Sequence, residues 1–249
     1  MRFKRWSCAP LVLIFALWAA PASARVVSAT GEKFSGGRML HVEVLVVVPP
    51  GANEAKARAA ALREQGARSR KPRPPGGGGS AGYAFNGLKW DLLPVVQSYN
   101  PAGQPVAAQS ALTDTHATWG SVSGSDYRMS FGGQTSRCPS LVRECPGAQT
   151  LDSANDVAWL TLGRSTLGVT WYTTSTDEAD MAMNTRFSWS STCGNVSGRY
   201  DVESVFLHEN GHVAGLDHVN DTNQVMNPSY AGAKCALGPG DAAGIAALY

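Results

Sequence analysis

Residues 208–218 carry the side chains with the clearest chemistry, in the order His-Glu-x-x-His-x-x-Gly-x-x-His. His208 and His212 are four residues apart, so a helix would place both imidazoles on one face. Gly215 can take the positive φ at which a helix ends, so the chain can turn back and present His218. Three neutral imidazoles leave one tetrahedral position open, which is typical of a catalytic zinc ion and not of a structural one.

Glu209 follows the first histidine and can reach a water molecule at the same metal. We therefore predict that Glu209 is a general base, which takes a proton from water and later passes it to the leaving group. The alternative is three surface histidines on an ordinary helix and turn. The complete pattern favours the metal site, since three of the five histidines in the chain lie within these eleven residues.

Residues 1–24 have the pattern of a secretory signal peptide. They combine a basic start, an apolar run over residues 10–20 and small residues at 22–24, with cleavage expected before Arg25. The apolar run is short for a membrane span. We expect a protein that is secreted to the extracellular or periplasmic space, without stable membrane insertion.

The charge balance gives no reason to expect a polyanionic partner. The signal peptide contains three of the 21 Lys and Arg residues, so the remainder has 18 against 19 Asp and Glu. A nearly neutral chain of this kind argues against a nucleic-acid or anionic-membrane partner.

Four cysteines lie outside the signal peptide, namely Cys138, Cys145, Cys193 and Cys235. An even number in a secreted chain predicts two disulfides. Of the three possible pairings we favour Cys138–Cys145 with Cys193–Cys235. Free thiols or metal ligands are the alternative, although the spacing matches no common cysteine-based zinc site.

The chain after the signal peptide divides into three predicted parts. Residues 25–67 are a strand–helix appendage or pro-segment, since residues 39–48 are β-rich and residues 53–65 favour a helix. Residues 68–82 are a basic linker rich in proline and glycine, whose basic cluster is either a cleavage site or simply exposed to solvent. Residues 83–249 are the main domain.

Apolar patterns in the main domain predict strands, a long helix, more strands and a second long helix that carries the histidines. This order indicates an α+β fold with mixed strand pairing. The predicted strands are residues 88–96, 127–131, 155–162, 167–173 and 179–184, and the helices are residues 104–119 and a segment capped by Asp201.

A methionine and a proline follow the third histidine. Met226 lies eight residues after His218 and Pro228 follows two residues later, which resembles the Met-turn of the metzincin metalloproteases. Met-x-Pro with Tyr230 two residues on is similar to the matrixin form. The resemblance is sharp over residues 201–230, looser over residues 85–249, and closest to bacterial matrixin-type catalytic domains.

The resemblance implies a fold and an activity. The fold is a zincin/metzincin fold: a twisted mixed five-stranded sheet with an antiparallel edge strand, two long helices above it, and a small C-terminal subdomain with a Met-turn and a closing helix. The activity is that of a secreted zinc-dependent endopeptidase, with one catalytic zinc ion and a peptide or protein substrate. The alternative is a non-catalytic metzincin-fold protein that binds peptides. A monomer is favoured, and the sequence leaves the oligomeric state open.

The resemblance also implies a substrate site. The edge strand would accept an extended peptide by β-augmentation, and its residues are Leu167, Gly168, Val169 and Thr170. Tyr230 would line the pocket for the residue after the scissile bond, with simple core packing as the alternative.

Two further features concern metal and latency. A structural calcium ion could use Asp180 or Glu178 as oxygen ligands, with solvated loop carboxylates as the alternative. Matrixin zymogens commonly block zinc with a pro-segment cysteine. No cysteine lies between Arg25 and Cys138, so we do not expect that form of latency.

Overall fold

The computed structural model describes residues 24–70, 82–174 and 178–249. The predicted signal peptide apart from Ala24, and the linker from residue 71 to 81, lie outside the described residues. The described part contains four helices: α1 (Glu54–Glu64), α2 (Gln109–Gly120), α3 (Val202–Val213) and α4 (Pro239–Leu248). Its strands are β1 (Arg25–Ser35), β2 (Arg38–Val48), β3 (Arg68–Ser69), β4 (Ala84–Phe85), β5 (Val95–Asn100), β6 (Met129–Gln134), β7 (Asp156–Leu160), β8 (Thr166–Thr173), β9 (Glu178–Asn184), β10 (Trp189–Ser190), β11 (Tyr200–Asp201), β12 (Leu216–Asp217) and β13 (Ser229–Tyr230).

One mixed sheet organises the described residues. Its strand order is β13-β1-β2-β8-β9-β7-β5-β6, with β3 beside β1. Strands β9, β7, β5 and β6 run parallel to one another, whereas β8 is antiparallel to β9. The predicted mixture of helices with a mixed sheet is therefore confirmed.

The prediction of a five-stranded sheet with Leu167–Thr170 at its edge is wrong. The described sheet has nine strands, and β2 pairs antiparallel with β8 from His41↔Tyr172 to Val46↔Thr166. The physical reason lies in the composition of β2. Residues 42–48 are all buried, as is typical of a strand that is covered on both faces. Such a strand is stable in the interior of a sheet and not at its edge.

Strand β1 was not predicted from the sequence. Gly36 and Gly37 join β1 to β2 with φ values of 58° and 79°, which fits a two-residue hairpin with both central residues at positive φ. The two strands pair along their full length, from Arg25↔Val48 to Ser35↔Arg38. We call β1 and β2 together the N-terminal hairpin. Residues 25–67 thus form two strands and a helix, where one strand and a helix were predicted.

The sheet separates two apolar cores. On one face, α2 and α3 pack on the sheet through large buried side chains that include Trp119, Tyr99 and Phe206. On the other face, α1 packs on the N-terminal hairpin together with Leu141 and Val142. Helix α3 thereby packs against β8, where predicted site residues lie, and α2 packs against α3 and β6.

Two strand and helix boundaries differ from the predictions. Residues 88–94 were predicted as strand, but they pack against the end of α3, where the Trp90 indole donates to the Val213 carbonyl at 2.6 Å. Strand β5 therefore starts at Val95. Helix α2 starts at Gln109 and not at residue 104, because a turn closed by Gln104 N–H and the Pro101 carbonyl precedes it.

The disulfides of the structure are Cys138–Cys145 and Cys193–Cys235, the pairing favoured from the sequence. The first closes a short loop beside the second core. The second joins the segment before β11 to the segment before α4. Among the described residues, none of the helices has the length and apolar character needed to cross a bilayer.

Candidate metal centre and active site

Helix α3 carries the first two histidines into the interior. Its N-cap is Asp201, as predicted, and the carboxylate accepts from Ser204 N–H at 2.9 Å. The helix ends at Val213 with Ala214 as its C-cap, and Gly215 follows with φ of +100°. A Cβ at Gly215 would overlap the Leu88 carbonyl, so both the turn and the close packing require glycine.

The structure brings His208, His212 and His218 together. The Nε2 atom of His208 lies 3.2 Å from those of His212 and His218, and the last two are 3.1 Å apart. Among the described residues, these three form a cluster with the spacing of metal ligands. A tetrahedral ion with metal–nitrogen bonds of about 2.0–2.1 Å separates its ligands by about 3.3 Å, so the donor set fits zinc.

Backbone carbonyls fix the protonation of two of these rings. Nδ1 of His208 lies 2.8 Å from the Val225 carbonyl, and Nδ1 of His212 lies 2.9 Å from the Leu216 carbonyl. A carbonyl only accepts, so each Nδ1 carries the proton and each Nε2 presents a lone pair. Burial lowers the pKa of His208 to about 4 and the pKa of His212 and His218 well below 6.5.

Nitrogen lone pairs that face one another cannot form a hydrogen bond, because neither nitrogen carries a proton. A cation between them satisfies all three nitrogens, and the hydrogen bonds at Nδ1 hold the rings in place for it. The chemistry of the donor set therefore fits a metal ion better than an empty cluster.

Glu209 lies beside the first histidine with its side chain fully buried. The Thr170 hydroxyl donates to Oε2, whereas Oε1 has no hydrogen-bond partner among the described residues. Burial raises the pKa of Glu209 to about 8. A cation held by the histidines would favour the ionised carboxylate, because opposite charges nearby lower the pKa of an acid.

Glu43, which the sequence analysis missed, lies at the outer side of the third histidine. Its Oε2 is 3.8 Å from Nδ1 of His218, and Asp217 Oδ1 is 3.9 Å from the same nitrogen. Burial, and after it the charge of Asp217, raises the pKa of Glu43. Both distances are longer than a hydrogen bond, so these carboxylates act on the imidazole through their charge, and Glu43 Oε2 accepts from the Thr30 hydroxyl at 2.6 Å. A single acidic residue inside an apolar strand was the sequence signal for it.

The segment after the third histidine, which contains Val225 and Met226, packs against the helix that carries the first two histidines. Met226 is buried, and a Cβ at Gly211 would overlap its sulfur, so the methionine packs on the bare backbone of α3. The N–H groups of Val225 and Met226 donate to the Asp241 carboxylate at 2.6 and 3.2 Å. Asp241, in the first turn of α4, thus holds the segment that binds His208, a role that the sequence analysis did not predict.

Helix α2 positions α3 through polar contacts in the core. The Asn210 side-chain amide donates to the Thr115 hydroxyl at 2.8 Å, and the Trp119 indole donates to the Leu207 carbonyl at 2.9 Å. Asn210 is a polar residue that is fully buried within α3. Its contact with Thr115 accounts for a polar side chain at that place.

The predicted substrate residues lie in two places. The four residues Leu167, Gly168, Val169 and Thr170 lie in β8, between β9 and the N-terminal hairpin. Of these, Thr170 contacts Glu209. Tyr230 lines a cavity of about 20 Å³ together with Leu45 and His208. Its hydroxyl accepts from Asp201 N–H at 3.0 Å, so the ring is anchored to the start of α3.

The predicted calcium ligands lie apart from this cluster, in β9. Glu178 accepts from the N–H groups of Asp152 and Ser153 at 2.9 and 2.6 Å. Asp180 accepts from the N–H groups of Leu141 and Asp156, both at 2.8 Å. These bonds attach the loop of the first disulfide to the sheet, and the calcium site stays a prediction.

The mixed sheet, its helices and the histidine cluster are consistent with a metallopeptidase domain of the metzincin class. Residues 151–249 match the family model described as Matrixin, which supports a matrixin-like catalytic domain in this part of the chain. The matched residues include β7, β8, β9, α3 and the three histidines, and the N-terminal hairpin lies outside them. No curated protein matched the chain.

Proposed function

We propose that the protein is a secreted zinc-dependent endopeptidase. The observation that supports this most directly is the convergence of three histidine Nε2 atoms, with the buried Glu209 next to the first of these histidines in the sequence. His208, His212 and His218 would hold one zinc ion. The substrate is a peptide or protein, in keeping with the matrixin-like domain.

Each residue of the site has a defined part in the proposed reaction. Zinc, when bound, supplies a Lewis acid that polarises the scissile carbonyl and makes water more acidic. Glu209 takes the proton of the attacking water and passes it to the leaving amine. The Thr170 hydroxyl fixes the orientation of the Glu209 carboxylate.

The supporting residues hold this geometry. Val225–Pro228 acts as the Met-turn, in which Met226 forms the apolar floor beneath the histidines and the Val225 carbonyl fixes His208. Tyr230 lines the pocket for the residue after the scissile bond.

The compartment follows from the N-terminal sequence and the cysteines. The proposed signal peptide spans residues 1–24, and the two disulfides suit an oxidising environment. The proposed catalytic domain spans residues 83–249.

The full chain, loaded with zinc, should cut an unstructured peptide library, and mass spectrometry after long incubation detects slow cleavage. We expect Glu209→Gln to lower the rate by about 10²–10⁴ while one zinc ion remains bound, because it removes only the general base. Removing zinc with a chelator should abolish cleavage. Glu203→Gln, a matched change in the first turn of the same helix, should cut at the wild-type rate.

An unchanged rate in Glu209→Gln would contradict the proposed mechanism. The alternative function, a metzincin-fold protein that binds peptides without cutting them, predicts a different result. It predicts one zinc ion per chain and no cleavage, even in the variants described below that open the site.

A further inference from the structure

The N-terminal hairpin lies on the strand beside the candidate catalytic carboxylate. Strand β2 pairs antiparallel with β8, and Glu43 is the register partner of Thr170. Thr170 is the residue whose hydroxyl bonds Glu209. An extended peptide that adds to β8 would need the same backbone groups. Strand β2 therefore uses the edge that a substrate would require.

Alternate side chains of β2 point toward the candidate site. Glu43 lies against the outer nitrogen of His218 at 3.8 Å. Two residues on, Leu45 is buried and lines the cavity that Tyr230 and His208 also border. The remaining volume of about 20 Å³ has room for about one water molecule. Leu45 thus borders the space in which a substrate side chain would lie, and little of that space is open.

Strand β1 closes the other side of the cleft. It pairs with β13 through Val26↔Tyr230 and Val27↔Ser229, and Ser28 N–H donates to the Pro228 carbonyl at 2.7 Å. The N-terminal hairpin therefore bridges the gap from β8 to the segment that follows the histidines. In this arrangement Glu209 and His212 have no exposed surface, and His208 keeps 6 %.

We propose that the N-terminal hairpin occupies the peptide-binding cleft of the metal centre and keeps it closed until the hairpin is displaced. The occupant is residues 25–70 of this chain itself. This inference rests on the proposed function, because it assigns the cleft between β8 and β13 to a peptide substrate.

The hairpin is held by packing and charge. Its outer face contributes Val42, Val44 and Val46 to the core with α1. At the end of the segment, Arg70 pairs with Asp217 at 2.8 Å, next to His218. Both disulfides join residues outside the segment. A change that weakens the packing can therefore release the hairpin without breaking a covalent bond.

Val44 offers a test that leaves the site itself unaltered, because its side chain lies in the core with α1. Val44→Asp buries an unpaired carboxylate there and should release the hairpin. Phe34→Asp makes the same kind of change at the tip of the hairpin, where Phe34 is 68 % exposed, and serves as the control. Val44→Cys with Val169→Cys places two thiols at paired positions and locks the hairpin when oxidised.

The measurement uses full-length chains loaded with Co²⁺, whose visible absorption changes when a peptide hydroxamate reaches the metal. We expect Val44→Asp to bind the hydroxamate at least tenfold more tightly than wild type, and Phe34→Asp to match wild type. Oxidation of the double-cysteine variant should weaken binding at least tenfold relative to its reduced form. Wild type exposed to the same reductant controls for the native disulfides.

Equal hydroxamate binding by wild type and Val44→Asp, or by the oxidised and reduced double-cysteine variant, would overturn the proposal. If Val44→Asp does not fold, the comparison of oxidised with reduced protein decides alone. Peptide cleavage is measured on the same zinc-loaded variants. Tight hydroxamate binding without any cleavage would refute the endopeptidase and leave the closed cleft standing, whereas cleavage by the oxidised lock at the reduced rate would refute the closed cleft alone.

Discussion

The residues of the histidine cluster could be identified from the sequence, but the orientation of their rings could not. The spacing of His208, His212 and His218 predicted that three imidazoles meet, and the structure brings their Nε2 atoms within 3.2 Å. The carbonyls that fix the rings belong to Val225 and Leu216. Any residue has a carbonyl, so the sequence carries no signal for these partners. Glu43 is different, since an acidic residue among valines is visible in the sequence.

Gly211 provides a prediction at the same scale. Alanine in place of glycine within a helix normally stabilises by up to about 1 kcal/mol. At Gly211, however, a Cβ would overlap the Met226 sulfur and lie 2.9 Å from Trp119. We expect Gly211→Ala to lower the free energy of unfolding by about 1–3 kcal/mol, because overpacking forces buried side chains to move. Urea unfolding measures this.

The matched control is Gly120→Ala at the end of α2. A Cβ at Gly120 would make only ordinary contacts, the nearest being 3.7 Å from Arg128. This variant should be as stable as wild type or slightly more so. Equal stability of the Gly211 and Gly120 variants would contradict this prediction. It would show that the Met226 side chain can move aside without lowering the free energy of unfolding.

At the scale of elements, the sequence predicted the strands and helices that depend on local pattern. It did not predict which strands pair with each other, because pairing depends on distant parts of the chain. The apolar run of β2 and the cap of α3 lie where their patterns placed them. The position of β2 beside β8 depends on which distant strand offers a free edge, and no local pattern contains that. The Gly36–Gly37 pair is a local signal for a hairpin turn, and it is enough to predict β1.

The two disulfides should differ in how much they stabilise the fold. Cys193–Cys235 closes a loop with a sequence separation of 42, and Cys138–Cys145 closes one of 7. Loop-closure entropy predicts losses of about 4 and about 2.5 kcal/mol respectively when each pair is replaced by serine. Chemical denaturation of the two double-serine variants measures the difference. A larger loss for the short loop would show that local packing, and not chain entropy, governs the stabilisation.

At the scale of the whole molecule, buried neutral histidine makes stability depend on pH. His116 donates to Gln97 at 2.7 Å in the core between α2 and the sheet, and burial lowers its pKa to about 4. The unfolded chain takes up this proton near pH 6.5 and the folded chain does not. The stability that neutral His116 contributes is therefore present above pH 6.5 and is lost as the pH falls from 6.5 toward 4.

Between pH 7 and 4.5, the free energy of unfolding should fall in wild type and in His116→Gln. We expect the fall in His116→Gln to be smaller by about 2–3 kcal/mol. Glutamine keeps a donor for Gln97 but does not titrate. Urea unfolding at both pH values, with a chelator present so that metal binding does not contribute, gives the comparison. An identical loss in the two proteins would place the acid sensitivity elsewhere.

The pairing of β2 with β8 also bears on solubility. All eight residues of β8 are buried, and residues 42–48 of β2 are buried as well. Two long apolar strands with unpaired backbone groups are templates for association between molecules. Separating them exposes both at once, so a released hairpin would tend to form fibrils and the open domain would tend to join edge to edge. The same pairing that closes the cleft keeps the chain from aggregating.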